Sequence, residues 1–214
     1  FVYAIFASIV MFILSFSFFI GKSNATSQVG TITRVDGLIL LCFLGIYLYA
    51  LIGDAIRSVR EKEDKTKFEW KNIVYIVIGI AGIILGGQLV VNSATELAEM
   101  FKVSQNVIAL TIVAIGTSLP ELVTSVVASR KGEVDIAIGN VVGSNIFNVF
   151  FILGLSSAIS PITFGVESFI DIIVTLAASI MVYLLLLKNK RFGNKKGIIL
   201  LAFYVIYMIY ILMR

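Results

Sequence analysis

Apolar residues fill seven stretches of this chain, each about 20 positions long and each closed by a short polar or charged segment. The stretches fall at 1–20, 35–56, 72–100, 105–129, 134–160, 168–187 and 197–213. Helical residues rise 1.5 Å each, so about 20 of them cross the ~30 Å hydrocarbon core of a bilayer. The pattern therefore predicts an all-α membrane protein with seven transmembrane helices. The third stretch turns polar from Asn92 to Met100, where the helix is expected to tilt or leave the bilayer. The first lacks the basic leader and small-residue cleavage site of a signal peptide. It is expected to be a spanning helix whose upstream sequence is missing, and the chain a fragment of a longer protein.

Composition agrees with lipid as the main solvent. Of the 214 residues, 59% are hydrophobic and 14% charged, and mean hydropathy is +1.02. A soluble domain carries about 25% charged residues. The net charge of +4 has its basic residues in loops, so it reads as topology, and nucleic acid is not an expected partner. Three loops hold thirteen Lys and Arg: Arg57 to Lys71, Arg130 with Lys131, and Lys188 to Lys196. The other side holds four: Lys22, Arg34, Lys102 and Arg214. The imbalance is expected to place loops 57–71, 130–135 and 188–196 in the cytoplasm, and the chain is expected to be an integral protein of the plasma (cell) membrane. Cys42 is the single cysteine and histidine is absent, which excludes an internal disulfide and imidazole chemistry.

Two apolar stretches carry chemistry. The fourth contains Ala114-Ile115-Gly116-Thr117-Ser118-Leu119-Pro120-Glu121, and the fifth contains Gly139-Asn140-Val141-Val142-Gly143-Ser144-Asn145-Ile146-Phe147-Asn148. Glu121 is the one carboxylate deep in an apolar run, where it is costly unless paired, protonated or bound to a cation. On a continuous helix, Ala114, Thr117, Ser118 and Glu121 share a face. Their carboxylate, hydroxyls and main-chain carbonyl are hard oxygen ligands suited to Na⁺ and Ca²⁺. Pro120 lacks an N–H and clashes with the Gly116 carbonyl, so carbonyls near Gly116 are expected to be freed for other partners. Asn140, Ser144 and Asn148 recur every four residues as a polar stripe, either a second ligand wall or interhelical hydrogen-bond glue. Gly139 and Gly143 form a small-xxx-small pair expected to admit a close neighbouring helix. Asp36, Asp54 and Asp171 read as caps or interfacial groups, Glu96 and Glu99 as an entrance, and Phe147, Phe150 and Phe151 as packing. Gly79, Gly82, Gly86 and Gly87 read as packing or sliding positions.

Gly116-Thr117-Ser118-Leu119-Pro120-Glu121, followed by Gly139-Asn140-Val141-Val142-Gly143-Ser144-Asn145, resembles the alpha-repeat of the calcium/cation antiporter superfamily, in particular its prokaryotic sodium/calcium exchanger branch. The resemblance implies ten spans in two inverted five-span repeats. Residues 1–56 would then be the last two helices of the first repeat, 57–71 the cytoplasmic linker, and 72–214 the second five-helix repeat. The missing N-terminal repeat would be the chain's partner across the ion site. The resemblance further implies Glu121 as principal ligand, with Thr117, Ser118, the Ala114 carbonyl and Ser144 completing this half. Asn148 stands where related members often carry an acid. The activity implied is Na⁺/Ca²⁺ antiport by alternating access, with those ions as cargo and no cofactor. A proton/calcium or other cation antiporter of the same superfamily is the alternative. A cation channel would need rings of oxygens. The chain offers no catalytic constellation at membrane depth, and an enzyme is not expected.

Overall fold

A computed structural model describes residues 2–20, 29–61, 69–103, 105–187 and 193–213. The expected loops 57–71 and 188–196 lie partly outside these residues, as do Lys22 and Arg214. The described chain is almost wholly helical. In order it forms α1 (Val2–Ile20), β1 (Val29–Ile32), α2 (Arg34–Glu61), α3 (Trp70–Met100) and α4 (Gln105–Ile108). A π-helical turn (Ala109–Val113), α5 (Ala114–Thr117), α6 (Leu119–Arg130), α7 (Val134–Phe147) and a second π-helical turn (Asn148–Leu153) follow. The chain closes with α8 (Gly154–Ile159), β2 (Ile162–Gly165), α9 (Val166–Leu187) and α10 (Asn194–Met213).

Among the described residues each expected apolar stretch is largely helical, yet the seven-span count is not reached. Five helices are long and apolar enough to cross a bilayer. The pair Thr111–Thr117 and Leu119–Arg130 makes a sixth if taken as one bent span, and Val2–Phe16 is apolar but shorter. The short antiparallel ribbon of β1 and β2, which pairs Val29 with Gly165 and Ile32 with Ile162, was not expected from periodicity. Its two four-residue strands are too short to show a pattern of their own.

The helices form two compact units. The first holds α1, β1, α2 and Val142–Ile198; the second holds α3 to Val141 and α10 from Ile199. These packing units cut across the expected repeat at 72–214, because a repeat is a unit of sequence and a compact unit one of contact.

In the first unit Ala4, Ala7, Val10, Leu40, Leu44, Ile146 and Phe150 form a buried cluster. Phe150 stacks on Phe43, with centroids 5.8 Å apart, and meets Phe6 edge-on. Small residues let α2 and α8 close together: a Cβ on Gly37 would lie 2.6 Å from the Gly154 carbonyl oxygen. Thr33 and Asp36 cap α2 reciprocally. The Thr33 N–H donates to Asp36 Oδ2 at 2.8 Å, and the Asp36 N–H donates to Thr33 Oγ1 at 3.3 Å. The capping role expected of Asp36 is thus observed. Ser8 and Ser179 add a hydroxyl contact of 3.1 Å between α1 and α9, the interhelical bonding that small polar residues supply in membranes.

The second unit leaves large apolar side chains outside. Ile76, Ile78, Leu85 and Leu89 of α3 are each more than half exposed, and α10 buries no residue. In water such surface would drive association; in lipid it is the solvated state. The inward row of α3 is Gly87, Val91, Ala94, Thr95 and Ala98, partly or fully buried. Gly132 ends α6 at φ 81°, a left-handed conformation glycine adopts freely, while the Glu133 N–H closes onto Ala128 O at 2.9 Å. That turn delivers the chain into α7.

Candidate ion-binding site

The local sequence dictates a break in the fourth span. Pro120 cannot donate a helical hydrogen bond, and its ring excludes a straight helix through Gly116. The backbone accordingly leaves the helical region at Ser118 (φ −93°, ψ 0°), and Thr111–Thr117 meets Leu119–Arg130 at 50°. Ala114, Thr117, Ser118 and Glu121 therefore do not share one continuous helical face. They straddle a bend, with the carbonyl end of one segment meeting the N–H end of the next. The first end favours cations and the second favours the Glu121 carboxylate.

The expectation of freed carbonyls near Gly116 also changes in detail. The Ser118 N–H turns back to the Ile115 carbonyl at 3.1 Å, and the Gly116 carbonyl is also taken up by an N–H at this cap. Thr117 Oγ1 donates to the Ala114 carbonyl at 3.0 Å. That bond spends the hydroxyl proton, fixes the rotamer and leaves the Thr117 oxygen lone pairs for an acceptor role.

Ser118-Leu119-Pro120-Glu121 is also the sequence of a capping box, a purely structural use for both residues. The structure does not use it: Ser118 makes no side-chain capping bond. Glu121 Oε2 is buried and, among the described residues, has no hydrogen-bond partner. Buried polar oxygens are normally paired, and an orphan calls for an explanation. An unpaired carboxylate oxygen at the first turn of α6, beside a helix break, is the arrangement a bound cation would satisfy.

Asn140 resolves as glue. Its Nδ2 donates to the Glu121 backbone carbonyl at 2.9 Å and to Ser125 Oγ at 3.0 Å. It ties α7 to the segment carrying the carboxylate and holds Glu121 by its main chain. Ser144 lies in α7 and Asn148 opens the second π-helical turn, both in the first unit. Single π-helical turns are rare and concentrate at functional positions, and one of them immediately precedes Ala114. Sequence periodicity cannot reveal them, since one extra residue per turn leaves composition unchanged.

The glycine expectations divide. A Cβ at Gly139 or Gly143 would meet nothing within 4 Å among the described residues, and the same holds at Gly79, Gly82 and Gly86. The close approach expected at Gly139 and Gly143 is therefore not found there. It occurs at Gly116, where a Cβ would collide with Val91 Cγ2, and it pins α3 onto the break. Gly87 sits beside it, its Cβ position 4.0 Å from Leu119 and Pro120. A cavity of about 290 Å³ opens here, lined by Gly87, Gln88 and Val91 of α3 and by Gly116, Thr117 and Pro120. Gln88 is a residue that sequence reasoning did not single out; an amide inside the apolar run of α3 was the available signal. Among the described residues no three Asp, Glu, His or Cys come together. Among the described residues, the break thus offers a sparse set of oxygens with the single carboxylate of Glu121 beside it.

A helical scaffold with apolar spans, one of them broken beside a carboxylate whose Oε2 is buried, is that of an integral membrane protein of the ion-transporter class. Residues 71–213 match the family model described as sodium/calcium exchanger protein, and the chain belongs to that family. It is 38% identical over 140 residues to the sodium/calcium exchanger MaX1 of Methanosarcina acetivorans, covering 65% of this chain and 40% of that protein. It is also 38% identical over 143 residues to the inner membrane protein YrbG of Escherichia coli, covering 62% of this chain and 44% of YrbG. The sodium-calcium exchanger NCX_Mj, solved after soaking with 2.5 mM Na⁺ and 0.1 mM Ca²⁺, matches with a TM-score of 0.69 at 29% identity. That match covers 95% of this chain and 63% of NCX_Mj. The chain spans 40–60% of the length of its first curated relatives. Membership makes this a transporter-family chain rather than an enzyme in the usual sense.

Proposed function

We propose that the protein carrying this chain exchanges Na⁺ for Ca²⁺ across the plasma membrane by alternating access, with loops 57–71, 130–135 and 188–196 cytoplasmic. The observation that supports the site assignment is the Oε2 of Glu121 at the bend, buried and without a partner among the described residues. Glu121 supplies the anionic ligand. Thr117, Ser118 and the Ala114 carbonyl add neutral oxygens, and Ser144 and Asn148 complete this chain's share. Asn148 contributes a carbonyl oxygen without charge. The ion identities come from the family and from relatives named as sodium/calcium exchangers.

Charge explains why occupancy and movement are coupled. An ionised, unpaired carboxylate resists passing through a closed, dehydrated state. A cation neutralises it and makes that state accessible, so the empty site is held to one side while the loaded site crosses. Ca²⁺ normally gathers six to eight oxygens with several carboxylates among them. One deep carboxylate does not reach that number. A second inverted repeat would supply the matching acid and hydroxyls, as in transporters that build a midplane site between repeats. The residues 1–56, 57–71 and 72–214 are then the end of one repeat, the linker and the other repeat.

The test is flux into vesicles holding the full-length protein, with Na⁺, Ca²⁺ and H⁺ gradients varied one at a time. Saturable Ca²⁺ uptake driven by an outward Na⁺ gradient is expected. Uptake driven by H⁺ and indifferent to Na⁺ would replace this reading with proton/calcium antiport, and flux needing no counter-ion would replace it with a channel. Residues 1–214 reconstituted alone should not transport; robust uptake by them would refute the two-repeat site.

A further inference from the structure

Among the described residues, no structural partner accounts for a polar row beside the packed face of α3. Gln88, Asn92 and Glu96 are spaced four residues apart and all three are exposed, next to the inward row of Gly87, Val91, Thr95 and Ala98. Four-residue spacing keeps them on one side of the helix. Their neighbours on the outer faces of α3 are Ile, Leu and Val, the residues expected against lipid. Amides and acids at membrane depth usually face a cavity or a water-filled path. Here the cavity is present at one end of the row: Gln88 lines the same space as Thr117. The other end, Glu96, sits one turn from the C-terminus of α3 at Met100, which is the outer end if the loops proposed to be cytoplasmic are so. Glu96 and Gln88 are eight residues apart, about 12 Å along the axis.

Two features fix Gln88 in this position. The contact of Gly116 with Val91 and the approach of Gly87 to Pro120 lock α3 against the break. Gln88 follows Gly87 directly and precedes Val91 by three residues, so the same lock holds its side chain at the cavity. Glutamine presents a carbonyl oxygen with no net charge. It can replace a water of a partly dehydrated cation without trapping the ion.

We propose that Gln88 is a specificity-determining residue on the outer approach to the ion site, taking cations that enter past Glu96 and Asn92 and passing them to Thr117. This rests on the transport reading above. Its consequences are one-sided, because the row leads to the outer end of α3. The chemical class of ligand is a dehydrating alkali or alkaline-earth cation. The cavity is lined mostly by apolar atoms, so a single well-placed oxygen controls how easily water is shed there.

The test compares Gln88→Leu and Gln88→Glu in the full-length protein, measuring half-saturation and maximal rate for Ca²⁺ applied at each face. Gln88→Leu should raise the outer half-saturation concentration about five- to tenfold, the size of one lost neutral hydrogen-bonding partner, with maximal rate and inner half-saturation retained. Gln88→Glu should restore outer affinity and shift preference toward Ca²⁺ over Na⁺, since a carboxylate attracts the divalent ion twice as strongly. Unchanged outer half-saturation in Gln88→Leu, or an equal change at both faces, overturns the proposal. A second measurement is independent of the ion identities. Gln88→Cys in a Cys42→Ala background should react with an external cationic methanethiosulfonate, and Ca²⁺ or Na⁺ in the bath should slow the reaction. No reaction, or reaction indifferent to both ions, refutes the approach path. Protection in a protein lacking Na⁺-driven Ca²⁺ flux would uphold the path and refute only the exchange reading.

Discussion

Replacing Glu121 by Gln removes one charge and almost no volume, so the variant isolates electrostatics at the bend. In the wild type Oε2 is buried without a partner among the described residues, and the ion-free state bears the cost of that unpaired carboxylate. The Glu121→Gln variant would carry a neutral group there and keep the Asn140 bond, which goes to the main-chain carbonyl of residue 121. Apparent melting temperature without added Ca²⁺ should therefore hold or rise. Ca²⁺ binding should weaken by about 2–5 kcal/mol, the range for truncating one partner of a buried charge pair, or about 30-fold to a few thousand-fold. A ligand present at a hundred times its Kd stabilises by about 2.7 kcal/mol, and 1 kcal/mol moves the melting point of a protein about twice the length of this chain by about 1–2 °C. Wild-type protein in saturating Ca²⁺ should thus melt about 3–5 °C higher than without it. The Glu121→Gln variant should lose nearly all of that increment while remaining monodisperse. Calcium-dependent melting of detergent-solubilised full-length protein reads this directly, and vesicle uptake should fall in parallel. If the Ca²⁺ increment persists at full size, Glu121 is not the anionic ligand and the site assignment fails.

Gly116→Ala should destabilise by about 1–3 kcal/mol, because its Cβ collides with Val91, and Val91→Ala in the same protein should recover most of the loss. Thermal melting of the two single variants and the double variant checks it; simple addition of the two losses would show that the contact is not the cause. Asn140→Leu leaves the Glu121 carbonyl and Ser125 without their donor and should lower stability by about 1–3 kcal/mol, leaving the order of ion preference intact. A changed preference in competition flux assays would instead make Asn140 a ligand. Asn148→Asp adds an ionisable oxygen at the first residue of the second π-helical turn and should alter ion selectivity or the pH profile of uptake more than it alters expression. An unchanged preference and profile would remove Asn148 from the site.

Hydrophobic periodicity determined the helical, membrane-spanning character of this chain, since twenty apolar residues in a row have few other stable solutions. The basic-residue bias gives the loops an expected orientation, and Thr33 with Asp36 behaved as a local cap because capping depends on four adjacent residues. Glu121 was legible for the same reason: a carboxylate in an apolar run is costly wherever the helix packs. The break at Ser118 was half legible, since Pro120 forbids a straight helix, but the bend angle and the redirected Thr117 and Ser118 bonds depend on what surrounds them. Packing alone distinguished the glycines. Gly139 and Gly143 carry the familiar spacing yet meet nothing nearby among the described residues, whereas Gly116 and Gly37 seat neighbouring helices. The two π-helical turns, the β1–β2 ribbon and the role of Asn140 as a tie likewise follow from contacts between segments distant in sequence. Gln88 belongs with these, because only the fold places its amide in the cavity that Thr117 lines. A local pattern can state what a residue costs in lipid, whereas its neighbours, set by the whole chain, decide how that cost is met.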